Sequence, residues 1–355
     1  MKITTTAIAL KQGLRITSGI AKSGTTPILS NILLSKSGES LTFKAADFDL
    51  EVKTSVVIGA GDDFSITVPA EKFSKIISAL NNDSSVTIDI DDSKMSIKSG
   101  RSKLGLQTLP SADFPEMIVD ELIAEIDMNQ PALKLMLQSV STSMSQSALK
   151  PNLCGVLFEV KDGQLNIVST DGFRLATNFV LTDSENVYEI IPRNTVFKLI
   201  KLLDIGSVKI QFFKGKVRFL IGDTEITSKL HEGKYPDYER VIPKNNDILV
   251  NVKKSKFLEC IGVATIVLSK SRISIIEVSN ELTMTCIFGG ETSSDGFDID
   301  YQGEKFEIKF NHDYLKDALN SFESENISIK FNSKDGPILM TDDTNLNVVV
   351  MNMKG

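Results

Sequence analysis

Apolar residues recur at i, i+3, i+4 and i+7 in six places along this chain, the spacing that lines one face of an α-helix. The weakest instance is Leu10, Gly13, Leu14, Thr17, followed by Phe73, Ile76, Ile77, Leu80 and by Leu133, Met136, Leu137, Val140. The remaining three are Val196, Leu199, Ile200, Leu203; Phe257, Cys260, Ile261, Ala264; and Leu315, Ala318, Leu319, Phe322. Their first positions, 10, 73, 133, 196, 257 and 315, lie about 60 residues apart, so one unit is repeated six times along the 355 residues. Between the helices the period changes to two. Val86, Ile88 and Ile90, the turn residues Asp91 to Lys94, then Met95 and Ile97 read as a β-hairpin.

Alternate units match better than neighbours. Val68-Pro69 before the second helix recurs as Ile191-Pro192 before the fourth, and the stretch Leu109 to Pro115 is echoed by Leu230 to Pro236. Two units therefore make a domain. The expected fold class is α+β, with three repeated two-layer domains over residues 1–120, 121–245 and 246–355, each a helix pair packed on antiparallel sheets. A solenoid would repeat at the shorter period of roughly 20 to 45 residues.

Composition narrows the function classes. Apolar residues are 41% and charged residues 24%, ordinary globular usage, and the net charge of −7 excludes a basic coat over the whole surface. Cys154, Cys260 and Cys286 are widely spaced with no Cys-x-x-Cys, which argues against a disulfide framework or a zinc ribbon and suits a reducing cytoplasm. No apolar run approaches the roughly 18 residues of a membrane span. Two histidines and no phosphate-loop, dinucleotide, zinc-protease or nucleophile-elbow motif point away from an enzyme, a metal or a cofactor.

The positive charge is concentrated on the helices. Lys11, Arg15, Ser18 and Lys22 share one face of the first helix; Lys72, then Arg193, Lys198 and Lys201, then Lys253 and Lys254 repeat the excess, while the meanders carry acids such as Asp89, Asp91, Asp295 and Asp298. Any one basic face is ordinarily just solvated. Helices facing a common axis would give an acidic protein a positive inner surface that neutralises phosphates without reading bases.

Specific stretches resemble the bacterial sliding-clamp family, the beta subunit of DNA polymerase III, along essentially the whole chain. They are Thr26-Pro27-Ile28-Leu29 with Asn31, Gly100-Arg101-Ser102, Leu109-Pro110 with Asp113-Phe114-Pro115, Thr170 through Leu175, Ser228-Lys229-Leu230, Tyr235-Pro236-Asp237-Tyr238, and Val349-Val350-Met351. The resemblance implies a DNA-clamp fold in which two chains pair head to tail into a ring around duplex DNA, bound topologically and without sequence preference. Its implied partners are the polymerase III catalytic subunit, a clamp loader, and other polymerases and repair proteins, which dock apolar peptides into a cleft. The matching cleft positions are Leu153, Thr170, Gly172, Phe173, Arg174, Leu175, Pro236, Arg240, Val241, Val349, Val350, Met351, Asn352 and Met353. The implied dimer interface is Lys72, Ile76, Leu80, Arg101, Leu104 and Leu106 against Val267 and Leu268.

The chain departs from the family pattern at Asn352, where Pro is common, and at Phe173, where His is common. Ser23 beside Lys22 replaces a DNA-contacting Arg, and Pro151-Asn152 replaces paired aromatics. Two other readings compete: a hydrolase using Asp47 with Asp49, or Asp171 with Asp237, and a protein-only scaffold that never encircles DNA. The terminal run Val348 to Met351 is expected to stay partly exposed as a docking surface.

Overall fold

The structure, a computed structural model, describes residues 1–21, 26–244, 246–266, 272–332 and 336–353. Among them are six α-helices at the expected places: α1 (Ala7–Thr17), α2 (Ala70–Ser78), α3 (Gln130–Ser141), α4 (Arg193–Leu202), α5 (Lys254–Ala264) and α6 (His312–Asn320). Leu80, Leu203 and Phe322 fall just beyond the ends of α2, α4 and α6. Local chemistry starts two of these helices. The Thr6 hydroxyl accepts from the Ala9 N–H at 3.5 Å and Asn311 Oδ1 from the Asp313 N–H at 2.9 Å, supplying partners to amides with none inside the helix. Gly13 weakens the first helical stripe for a packing reason: a Cβ there would lie 2.4 Å from the Phe43 ring.

The expected hairpin forms from Ser85–Asp91 and Lys94–Ser99, with Ile88 opposite Ile97 and Ile90 opposite Met95, all four buried. Asp92 takes the turn at φ 47°. Among the described residues every strand pair is antiparallel, the arrangement that short hairpin turns such as Asp91 to Lys94 permit.

The chain divides into two compact units, residues 1–130 with 202–230, and residues 131–201 with 231–355. The first holds a nine-stranded sheet in which Thr224–Lys229 pairs with Leu50–Val57, and a four-stranded sheet whose last strand is Ser102–Gln107. The second holds an eight-stranded sheet in which Arg174–Leu181 pairs with Asn347–Val350, and a four-stranded sheet whose edge is Glu291–Asp298. The expected middle segment, 121–245, is thus shared between the units, because its strands hydrogen-bond to earlier strands in one and to later strands in the other.

One expectation is overturned here. Val348, Val349 and Val350 are not exposed; they form a strand between Arg174–Leu181 and Ile338–Thr341, and Val350 is 0% exposed. This strand is flanked on both edges and its successive side chains are buried on both faces, so it reads as a continuous apolar run, the same signal that suggested a docking surface. Met351, the one member of that run past the strand, is half-buried, as are Asn352 and Met353 after it.

Candidate functional site

A turn in the second unit organises the site. Asp171 Oδ1 accepts from the N–H groups of Phe173 (2.9 Å) and Arg174 (3.1 Å), and Thr170 Oγ1 accepts from the Gly172 N–H at 3.1 Å while donating to the Arg174 carbonyl at 2.6 Å. Gly172 has φ 95°, a region open mainly to glycine. The turn delivers Arg174 to a strand beginning, where its Nε meets Asp171 Oδ2 at 3.1 Å and its Nη1 meets Asp317 Oδ2 at 2.5 Å. The guanidinium carbon lies 4.4 Å from the centroid of the Tyr314 ring, a cation–π contact that ties the turn to α6.

Beside this turn is a cavity of about 110 Å³ lined by Leu153, Thr170, Gly172, Arg174, Leu175, Pro236, Asp237, Tyr238, Val241, Val349 and Met351. The lining comes from four places in the chain. Leu153 ends a 3-10 turn, Pro151–Leu153; Thr170 and Leu175 flank the Asp171 turn; Pro236 to Val241 surround a second 3-10 turn, Tyr238–Arg240; and Val349 and Met351 arrive with the terminal strand. Behind the lining, Leu153, Leu175 and Val349 belong to one core cluster with Leu157, Val168, Ile190, Tyr235 and Leu339. Burial, and then the bond its hydroxyl donates to Glu159 Oε2 at 2.5 Å, push the Tyr238 phenol up. It remains a neutral donor that anchors the cleft lip. The result is a small apolar pocket, rimmed by one guanidinium and one carboxylate, shaped for an aliphatic side chain.

Nine of the fourteen expected cleft residues are brought together in this lining. Phe173, Arg240, Val350, Asn352 and Met353 are not. Phe173 stacks on Tyr314 at 6.5 Å, Arg240 pairs with Asp237 at 2.6 Å, and Val350 points into the core on the opposite face from Val349. The Met353 N–H donates to the Lys309 carbonyl, fixing the end of the chain. Asp237 and Tyr238 join the lining without having been assigned to it. Their signal was the Tyr-Pro-Asp-Tyr stretch, where the proline-led turn aims the second tyrosine inward.

The basic residues divide into free and engaged. Arg15, Lys72, Lys201 and Lys253 are exposed. Lys11 donates to the Leu80 carbonyl (2.6 Å) and Asn82 Oδ1 (3.0 Å), and Lys254 to the Phe322 carbonyl (2.9 Å), so both ammonium groups cap the chain just after a helix. Arg193 donates to the Met144 carbonyl and lies over the Phe197 ring; burial lowers its pKa, as it lowers that of Lys198. Lys22 and Ser23 lie outside the described residues, as do Val267 and Leu268 of the expected interface. Of the other interface residues, Lys72, Arg101 and Leu104 are exposed, Ile76 and Leu80 half-buried, and Leu106 buried.

The acid pairs of the hydrolase reading have structural partners: Asp47 caps Asp49 and Leu50, Asp49 faces Lys229, Asp171 holds Arg174, and Asp237 holds Arg240. Among the described residues no three His, Cys, Asp or Glu side chains form a group that could hold a metal ion, and no helix is long and apolar enough to cross a membrane.

Comparison with known proteins agrees over nearly the full length. Residues 1–118, 127–237 and 239–354 match, in order, the N-terminal, central and C-terminal domains of the DNA polymerase III beta subunit. The beta sliding clamp of Pseudomonas putida is 31% identical over 359 residues, with 98% of each chain covered. That of Escherichia coli K12 is 30% identical over 326 residues, covering 90% of this chain and 89% of its own. The crystal structure of the DNA polymerase III subunit beta from Pseudomonas aeruginosa matches with a TM-score of 0.94 at 31% identity, and a sliding clamp from the same organism bound to griselimycin with 0.97 at 30%, each covering 100% of both chains. The chain belongs to the DNA polymerase III beta subunit family and functions as a DNA sliding clamp, a replication processivity factor.

Proposed function

We propose that two copies of this chain close head to tail into a ring around duplex DNA, and that the apolar cavity at Leu175, Val349 and Met351 tethers partners by a short peptide. The polymerase III catalytic subunit, the clamp loader, and other polymerases and repair proteins are the partners. The cavity carries this reading: it presents an apolar floor, a single aliphatic-sized space and one charge of each sign at its rim. Such interfaces concentrate their energy in one or two anchors. In the Met351→Ala variant, peptide affinity should fall roughly tenfold or more with a nearly unchanged melting temperature, because Met351 is half-buried and lies outside the strand. A titration and a melt on the same sample check it; unchanged affinity removes Met351 from the site.

The function needs no catalytic group, and we read the protein as a non-enzyme. We propose domains at 1–120, 121–245 and 246–355, a cytoplasmic location consistent with three free cysteines, and phosphate contacts from Lys11, Arg15, Lys22, Lys72, Arg193, Lys198, Lys201, Lys253 and Lys254. Phosphate contacts position without specifying sequence, which is what sliding requires.

Ring closure has a physical opening in the small sheets. Ser102–Gln107 is an edge strand bearing Leu104, 39% exposed, and Lys103, next to Arg101; Glu291–Asp298 is an edge strand bearing Glu291, Asp295 and Asp298. Unpaired edges are templates for another strand, and these two carry opposite charge. We place the first edge of one protomer against the second of its partner, a heterologous contact that closes after two copies. Leu104→Glu should yield a folded monomer by sedimentation at low micromolar concentration. A dimer with wild-type affinity would refute this seam.

A further inference from the structure

The framework that builds the cleft occurs a second time, in the first unit. The 3-10 turn Pro27–Ser30 matches Pro151–Leu153, and the turn after Ala46 matches the turn after Thr170. Asp47 Oδ1 accepts from the N–H groups of Asp49 (2.9 Å) and Leu50 (2.8 Å), as Asp171 does from Phe173 and Arg174. The Lys229 N–H donates to the Asp49 carbonyl at 2.9 Å, as the Met351 N–H does to the Phe173 carbonyl at 2.9 Å. Pro115 stands where Pro236 stands. This framework too closes on a cavity, of about 330 Å³, whose apolar lining includes Ile28, Leu29, Phe48 and Met117.

Its charge differs from that of the cleft. Glu51 occupies the position of Leu175, and Lys229 that of Met351. Glu51 is buried, its Oε2 accepting from the Met117 N–H at 3.1 Å. The buried Lys44 lies 3.4 Å from Glu51 and 3.1 Å from Glu116, so one ammonium is shared by two carboxylates. Lys229 is directed to Asp49, at 3.5 Å. Asp47, Asp113 and Glu116 also line the cavity, leaving an excess of negative charge around an apolar floor. At the lip stands Phe48, a phenyl ring 68% exposed.

We infer that this cavity is a second docking seat, for a partner segment in which one or two large apolar side chains are flanked by lysine or arginine. The apolar floor takes the side chain, Phe48 covers it, and the uncompensated carboxylates take the flanking cations. The cleft of the second unit, with one charge of each sign in its lining, has no such preference, so the two seats sort partners by charge.

The full-length protein labelled with 13C-methyl methionine tests this, because Met117 reports on the new seat and Met351 on the cleft; Met117→Leu assigns the first signal. The probes are acetyl-Arg-Leu-Phe-Arg-amide and acetyl-Glu-Leu-Phe-Glu-amide. The basic peptide should shift the Met117 methyl saturably, with an affinity roughly tenfold or more above that of the acidic one, and Phe48→Ala should weaken that binding about tenfold while the Met351 response stays as in the wild type. Glu116→Lys should narrow the preference. A Met117 methyl unmoved by the basic peptide, equal titration by the two peptides, or wild-type binding by folded Phe48→Ala would each overturn the proposal. Because Met351 is read in the same spectrum, failure of this seat is distinguishable from failure of the cleft.

Discussion

A chain ending at Val349 should melt roughly 12 °C below the full-length protein and lose peptide binding altogether. The deleted Val350 is fully buried, pairs with Arg174 on one side and with Ile338 on the other, and precedes two more backbone bonds, from Met351 to Phe173 and from Met353 to Lys309. An emptied valine site costs about 2 kcal/mol and the abandoned hydrogen-bond partners about as much again. For a unit of this size each kcal/mol lowers the melting temperature by about 3 °C. The terminus is a paired strand and not a free tail. Binding falls with stability in this deletion, whereas in Met351→Ala the two effects separate; a calorimetric melt of both variants beside a peptide titration makes the comparison.

The second large effect should follow from Arg174→Ala, which destabilises the protein by about 3 kcal/mol. Arg174 is only 10% exposed at its side chain and serves two carboxylates, Asp171 and Asp317, besides lying over Tyr314. Truncation leaves Asp171, itself 15% exposed, without its cation, the circumstance in which a mostly buried pair is expensive to break. Arg174→Lys should recover less than half of the loss, since a single ammonium cannot bridge both carboxylates and cover a ring at once. Denaturant titrations of the two variants check this, and near-wild-type stability of Arg174→Lys would show that charge alone is what the position supplies.

Much of the fold was legible because six helices each bury one stripe, and a stripe at period 3.6 survives in the sequence whatever it packs against. The hairpin at Val86 to Ile97 was legible for the corresponding reason at period two. The sharing of residues 121–245 between two units was not, since strand order is decided by hydrogen bonds between distant segments that leave no local pattern. Lys11 illustrates the same limit on charge. Its position on a basic helical face is visible in the sequence, but its bonds to the Leu80 carbonyl and Asn82 depend on where the second helix ends. In the cleft, Leu153, Leu175 and Val349 look like any core residues, and it took specific motifs, Thr170 to Leu175 above all, to single them out. Tyr238 escaped assignment because its role rests on a distant hydrogen bond, to Glu159. Val350 lies outside the cavity lining because alternation along a strand places it and Val349 on opposite faces.

Topological binding is the central claim, and retention on circular DNA tests it most directly. After loading onto a nicked circle by an ATP-driven clamp loader, the protein should remain bound through gel filtration in moderate salt and should leave when a restriction enzyme cuts the circle open, because a ring that contacts only phosphates has no other hold on the duplex. Equal loss from the closed circle and from the linear product would contradict encirclement.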